Sequence, residues 1–110
     1  MKTKLLFVCS GNRDRSPTAE DLFKNSDTYE AKSAGTHDSA TQKITQDLVS
    51  WSDIIFVMSE RLDGHLSFLG ETFDLTGKEV HDLDIPDEYD RGDPALVAII
   101  REKLRPYIHF

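Results

Sequence analysis

Apolar residues follow two patterns along the chain, short continuous runs and repeats at helical spacing. The runs at residues 4–9 and 53–58 are typical of strands buried on both faces of a parallel sheet. Residues 29–35 alternate weakly and end in glycine, which predicts a short second strand, and residues 78–83 predict a short fourth one. The chain is therefore expected to contain four strands.

The segments between these strands carry helix signals. Ser16 and Pro17 are typical of a helix start, with serine as the N-cap and proline in the first turn. Leu22 and Phe23 are expected to face the core from this first helix. Three further helices are predicted at residues 41–51, from Ser59 through Leu69, and from a cap at Asp93 to near Pro106.

Strict alternation of strands and helices predicts the fold class. We expect an α/β protein, a single-domain three-layer fold over residues 1–110 with a four-stranded parallel sheet in flavodoxin-like order and helices on both faces. The length of 110 residues fits one small domain. Ligands of such sheets bind beyond the carboxyl ends of the strands, where Cys9 ends the first strand.

Composition and charge limit the kinds of partner and the cellular location that we expect. The formal net charge of -7 argues against nucleic acid, because binding to a phosphate backbone needs a basic face. No apolar run is long enough to span a membrane, and the residues before Leu5 are too few for a signal peptide, so the expected location is cytoplasmic. The single cysteine allows no internal disulfide. The oligomeric state is left open.

The segment CSGNRDRSP at residues 9–17 has the features of an anion site. Gly11 and Asn12 tolerate the backbone geometry that turns successive amides inward, and the following helix start directs further amides to the same point. We predict that phosphate is bound by Ser10, Gly11, Asn12, Arg13, Asp14, Arg15 and Ser16.

The same loop predicts a reactive thiol at Cys9. A helix N-terminus and nearby cations favour thiolate, Arg15 offers a planar fork for phosphoryl oxygens, and Ser16 is placed to donate its hydroxyl to the sulfur. A lone cysteine is more often an inert core residue, but the combination of strand, thiol, Gly-Asn loop, arginine and Ser-Pro favours attack on a phosphate ester.

The segment VCSGNRDRSP resembles the signature loop of the low-molecular-weight protein tyrosine phosphatases, V-C-x-G-N-x-x-R-S-P. SAGT at residues 33–36 and SDIIFVM at residues 52–58 resemble further strand regions of that family, in the same order. The chain is a short form, because it lacks a block that members have between these two segments. Many eukaryotic members have a second cysteine where Asp14 stands, and the sequence offers no account of this acid.

The resemblance implies roles for individual residues. Cys9 is the nucleophile, Arg15 binds phosphate and stabilises the transition state, and Ser16 and Asn12 support the thiolate and the loop. A family member also needs an acid in a late D-P-Y-like motif. We assign Asp87, with Asp84 as runner-up, because Tyr89 follows it as a rim aromatic and Asp93 is better explained as a helix cap.

The predicted function is hydrolysis of a phosphomonoester, and in particular protein tyrosine phosphatase activity through a phosphocysteine intermediate. The partner is a phosphotyrosine protein or a small phosphomonoester, with no nucleic acid or membrane. Alternatives are a phosphocarrier, a phospho-ligand-binding module, or an arsenate reductase that uses an external thiol. No cofactor or metal is expected, because the four histidines show no ligand spacing.

Overall fold

The computed structural model describes residues 2–109, in which strands and helices alternate. The strands are β1 (Thr3–Cys9), β2 (Tyr29–Gly35), β3 (Ile54–Val57) and β4 (Glu79–Asp82). The helices are α1 (Arg15–Asp21), α2 (Gln46–Trp51), α3 (Glu60–Asp63), α4 (His65–Thr72) and α5 (Pro94–Leu104). The strands pair in parallel in the order β2-β1-β3-β4, which confirms the predicted fold class.

The sheet separates two apolar cores, because successive residues of β1 point to opposite faces. Leu5, Phe7 and Cys9 pack with buried residues of α1 and α5 on one face. Leu6 and Val8 pack on the other face with buried residues of α2 and α4. Both faces of the central strand are thus covered, which explains its continuous apolar run.

The predicted helix at residues 41–51 is wrong in its first part. Helix α2 begins at Gln46, after Thr45, whose side chain accepts a hydrogen bond from the amide of Leu48. Residues 41–44 instead lie beside the end of β2, where Lys43 forms a bridge with Gly35 and the Ile44 amide donates to the Gly35 carbonyl. The segment is extended because β2 offers it these backbone partners.

The helix predicted from Ser59 through Leu69 is two helices. Ser59 caps α3 as predicted, accepting from the Leu62 amide at 3.0 Å. The chain then breaks at Gly64, whose φ of 65° lies in the left-handed region that glycine adopts readily. Asp63 and His65 therefore flank a sharp bend, which becomes important at the site below.

The start of α1 also differs from the prediction. The helix begins at Arg15, so Ser16 lies inside it and its hydroxyl contacts Cys9. The N-cap residue is Asp14, which makes no capping bond because its carboxylate accepts from the Arg91 amide. At α5 the prediction is confirmed, since the Asp93 side chain accepts from the Ala95 amide at 2.8 Å. Phe23 is buried, as predicted.

Among residues 2–109, no helix has both the length and the apolar character needed to cross a membrane.

Candidate active site

A cavity of about 300 Å³ opens at the carboxyl end of β1. Its walls come from the loop after β1, the connection after β2 and the late loop before α5. The lining residues are Cys9, Ser10, Gly11, Arg13, Asp14, Arg15, His37, Ser39 and Asp87. Seven of these residues are ones that the sequence analysis assigned to the site, whereas His37 and Ser39 were not expected there. In the described part of the chain, His, Cys, Asp and Glu side chains form no group of three or more that could hold a metal ion.

The loop after β1 turns its amides towards the cavity. The carbonyls of Cys9, Ser10 and Gly11 accept hydrogen bonds from amides of the segment after β2, at 2.9, 3.0 and 3.1 Å. Because the N–H and C=O of a planar trans peptide point in opposite directions, the amides that follow these carbonyls face the other way. Successive inward amides form an anion-binding nest.

The Cys9 sulfur lies at the floor of this nest, with only 3% of the residue exposed. The amide of Asn12 donates to it at 3.2 Å, and the Ser16 hydroxyl lies 2.9 Å from it. Donors to a sulfur stabilise negative charge on it. The two residues that the resemblance assigned to thiolate support are therefore the two that contact the sulfur.

Asn12 holds the loop in shape from beneath. Its φ of 54° is left-handed, a conformation that asparagine adopts more readily than most residues. The side-chain amide donates to Ser16 Oγ at 3.0 Å and to Ser33 Oγ at 2.9 Å, while Oδ1 accepts from the Gln42 amide at 3.1 Å. Asn12 and Ser16 thus lie under the loop rather than in the cavity wall.

Gly35 permits this close contact between the loop and β2. A Cβ atom at Gly35 would lie 2.5 Å from the Ser10 carbonyl oxygen and 2.6 Å from the Ala40 Cβ. Any larger residue would push the loop away from the sheet. The glycine that ends the second strand is therefore required by the site and not only by the strand.

The Arg15 guanidinium is buried and held from one side. Its Nη1 donates to Asp63 Oδ2 at 2.7 Å and to the Ile85 carbonyl at 2.9 Å. Among residues 2–109, Nε and Nη2 donate no hydrogen bond, and Nε lies 3.8 Å from Asp87 Oδ1. This leaves one edge of the fork for two oxygens of a phosphoryl group.

Sequence reasoning missed the bend between α3 and α4, residues 63–65, which supports the loop from the side of β3. Asp63 binds Arg15, and the fully buried His65 lies with Nε2 2.9 Å from Ser10 Oγ while Nδ1 accepts from the Ser59 amide at 3.0 Å. Gly64, inside the apolar helical pattern that runs from Leu62 to Leu69, was the available signal for the bend. It gave no indication of what the flanking side chains contact.

Burial lowers the pKa of His65 from 6.5 to about 4, with Arg15 acting in the same direction and Asp63 against it. The unfolded chain therefore binds this proton more strongly, so the free energy of unfolding should decrease as the pH falls from about 6.5 to about 4. The contribution is about 3 kcal/mol. Urea unfolding at several pH values should give a weaker pH dependence for His65→Gln than for the wild type. The exposed His109→Gln is the control, and equal slopes for both variants would contradict the prediction.

The late loop brings one of the two candidate acids to the cavity. Asp87 lines it with its side chain 57% exposed, whereas Asp84 is absent from the lining and pairs with Arg61 at 3.2 Å. Asp84 also has a φ of 52° and contacts Ser59 at 3.4 Å, so it serves the turn after β4. Tyr89 is half-buried against the core below and is not among the lining residues.

Comparison with known proteins identifies the same loop. The family model for low molecular weight phosphotyrosine protein phosphatase matches residues 4–51, which include β1, the loop, α1 and β2. No curated protein is a significant match to the chain.

Solved structures extend the likeness over the whole fold. The tyrosine phosphatase Wzb from Escherichia coli K30, solved in complex with phosphate, has a TM-score of 0.75 at 19% identity, covering 97% of this chain and 96% of that one. A low molecular weight protein tyrosine phosphatase from Streptococcus pyogenes has a TM-score of 0.73 at 20% identity, covering 99% and 95%. A thioredoxin-dependent arsenate reductase from Corynebacterium glutamicum has a TM-score of 0.60 at 21% identity, covering 93% and 56%.

Similarity to solved structures at this level of sequence identity establishes a shared fold. Proteins with the same fold can differ in function, so the residues of the loop must indicate which function applies. The family match includes Cys9 and Arg15, and the structure brings both to one cavity. The segment with the signature loop thus matches the low-molecular-weight phosphotyrosine protein phosphatase family, and the fold of nearly the whole chain is similar to that of solved tyrosine phosphatases.

Proposed function

We propose that this protein hydrolyses phosphate monoesters by transferring the phosphoryl group first to Cys9 and then to water. The observation that carries the proposal is the convergence at one cavity of the Cys9 sulfur, a nest of inward amides and the open edge of the Arg15 guanidinium. A phosphoryl dianion bound by the amides and the fork would lie directly against the nucleophile.

In the first step the Cys9 thiolate attacks phosphorus, an S–P bond forms and the bond from phosphorus to the ester oxygen breaks. The electron pair of that bond leaves with the oxygen, which needs a proton if the alcohol is a poor leaving group. We assign the proton to Asp87, which lines the cavity beside Arg15. Charge that develops on the equatorial oxygens is stabilised by the amides and by Arg15.

In the second step water attacks the phosphocysteine. Asp87, now a carboxylate, accepts a proton from the water, the S–P bond breaks, and the thiolate leaves with the electron pair. The hydrogen bond from the Asn12 amide and the Ser16 hydroxyl stabilise the departing sulfur. Inorganic phosphate is released and the enzyme returns to its starting state.

The substrate we propose is a phosphotyrosine side chain of a protein, the substrate class of the family that the signature loop matches. The compartment we propose is the cytoplasm, because a catalytic thiol must stay reduced. The presence of Asp87 in the cavity wall favours a hydrolase over a phosphocarrier, since a carrier does not need a base that activates water. A reductase that relies on further cysteines of its own chain is not favoured, because these 110 residues contain one cysteine.

The direct test is turnover of p-nitrophenyl phosphate between about pH 5 and pH 8. We expect release of p-nitrophenol and phosphate, and a transient adduct of one phosphoryl group on Cys9 detectable by mass spectrometry after acid quench. A stable adduct without phosphate release would support a phosphocarrier. Binding of phosphate without any turnover would support a binding module, and either result would contradict hydrolysis.

A further inference from the structure

Asp14, the acid between the two loop arginines, contacts a distant part of the chain. Its Oδ1 accepts a hydrogen bond from the Arg91 amide at 3.0 Å, across 77 positions of sequence. One turn along α1, Thr18 Oγ1 accepts from the Gly92 amide at 3.0 Å. On the surface the Arg91 guanidinium donates to both carboxylate oxygens of Asp21, at 3.1 and 3.0 Å. We call these contacts the 91–92 anchor.

The 91–92 anchor fixes one end of the loop that carries Asp87. The other end is fixed at Ile85, whose amide donates to the Met58 carbonyl and whose own carbonyl accepts from Arg15 at 2.9 Å. Between these ends, Asp87 has one polar partner among residues 2–109, the Arg15 Nε at 3.8 Å, which is longer than a hydrogen bond. The position of Asp87 is therefore set by the two ends of its loop, together with Tyr89, which packs against the core between them.

We propose that Asp14 is a positioning residue for Asp87. Its backbone belongs to the loop that binds the phosphoryl group, and its side chain holds the loop that carries the acid, so one residue sets the distance between the two. The proposal rests on the function proposed above. It also accounts for an acid beside a phosphate site, because the carboxylate is engaged with the Arg91 amide and only its backbone belongs to the nest.

The chemical consequence concerns the leaving group. Protonation by Asp87 matters most when the departing oxygen is strongly basic, as in a phenol or an alcohol, and little when it is p-nitrophenol, which leaves readily as an anion. Weakening the 91–92 anchor should therefore lower the rate selectively for substrates with poor leaving groups. A displacement of about 1 Å in a catalytic group is enough to lower a rate by about 100-fold.

The experiment measures kcat/KM for aryl phosphates with leaving groups from p-nitrophenol to phenol. The value of kcat/KM depends only on the steps up to and including departure of the leaving group. It therefore does not depend on the later step, in which Asp87 acts as a base. We expect Asp14→Ala to lower kcat/KM for phenyl phosphate by about 100-fold and for p-nitrophenyl phosphate by about threefold or less. Asp14→Asn keeps an oxygen acceptor for the Arg91 amide and should retain most of the wild-type profile.

Two further variants keep the test decisive. Thr18→Val removes the second bond of the anchor and should change the leaving-group dependence in the same direction, even if Asp14→Ala is poorly folded. Glu102→Gln removes an exposed carboxylate on α5 and should match the wild type. Inhibition by inorganic phosphate should be similar in all variants, because the nest is intact.

The outcomes separate this proposal from the one it rests on. Equal losses for every leaving group, or no loss in Asp14→Ala and Thr18→Val, would overturn the positioning role while hydrolysis by the wild type stands. A wild type that turns over no member of the series would overturn both.

Discussion

Replacing Cys9 by serine should abolish phosphatase turnover, with a loss of at least about 10⁴-fold in kcat for p-nitrophenyl phosphate. The reason is that the Asn12 amide and Ser16 hydroxyl support negative charge on a large, polarisable sulfur, whereas a serine hydroxyl in the same place stays protonated at neutral pH. Among residues 2–109 the side-chain hydrogen-bond partner of the sulfur is the Ser16 hydroxyl, which is not a base, and the proposed role of Asp87 is at the ester oxygen. Steady-state assays with the purified variant measure the loss.

The same substitution should leave phosphate binding intact or make it tighter. The nest of amides is held by backbone hydrogen bonds from the segment after β2, and a serine hydroxyl can still accept from the Asn12 amide. A neutral hydroxyl also removes the repulsion between thiolate and phosphate. Calorimetric titration with inorganic phosphate tests this, and Cys9→Ala serves as the matched variant without any nucleophile. Residual turnover above about one hundredth of the wild-type rate in either variant would show that Cys9 is not the nucleophile.

The part of the site that is contiguous in sequence could be predicted, because its geometry is local. Cys9 ends a buried strand, and the next residues must turn from that strand into α1, so the position of the nest and of Arg15 follows from a short segment. Even here one detail was wrong, since Ser16 contacts the sulfur from inside α1, and Asp14 at the N-cap position binds the Arg91 amide rather than the helix. The demand of the site outweighs the local preference for capping.

The supporting residues could not be predicted, because their contacts depend on how distant elements pack. Asp63 contacts Arg15 across 48 positions, and only the bend at Gly64 places it there. Residues 41–44 have a helical pattern but extend along β2, since the backbone partners that decide their structure are remote in sequence. Asp87 stays a prediction as the acid, supported by its place in the cavity wall.

Replacing Arg15 by lysine is the second substitution with a large expected effect. A lysine ammonium keeps the positive charge beside Asp63, so the Asp63 carboxylate retains a partner and the fold should be preserved. It loses the planar edge that offers Nε and Nη2 together to two phosphoryl oxygens. Because those oxygens gain charge in the transition state, kcat should fall by about 10² to 10³ while KM changes less.

The matched control is Arg105→Lys, which changes an exposed arginine paired with Glu102 on the surface of α5 and should leave kcat within about twofold. Arg15→Ala is a poorer test, because it leaves the Asp63 carboxylate without its cation and should also lower the melting temperature. If Arg15→Lys retained more than about a tenth of the wild-type kcat, a point charge would suffice at this position. The bidentate role of the guanidinium would then be contradicted, and the transition state would be stabilised by the backbone nest and a single positive charge.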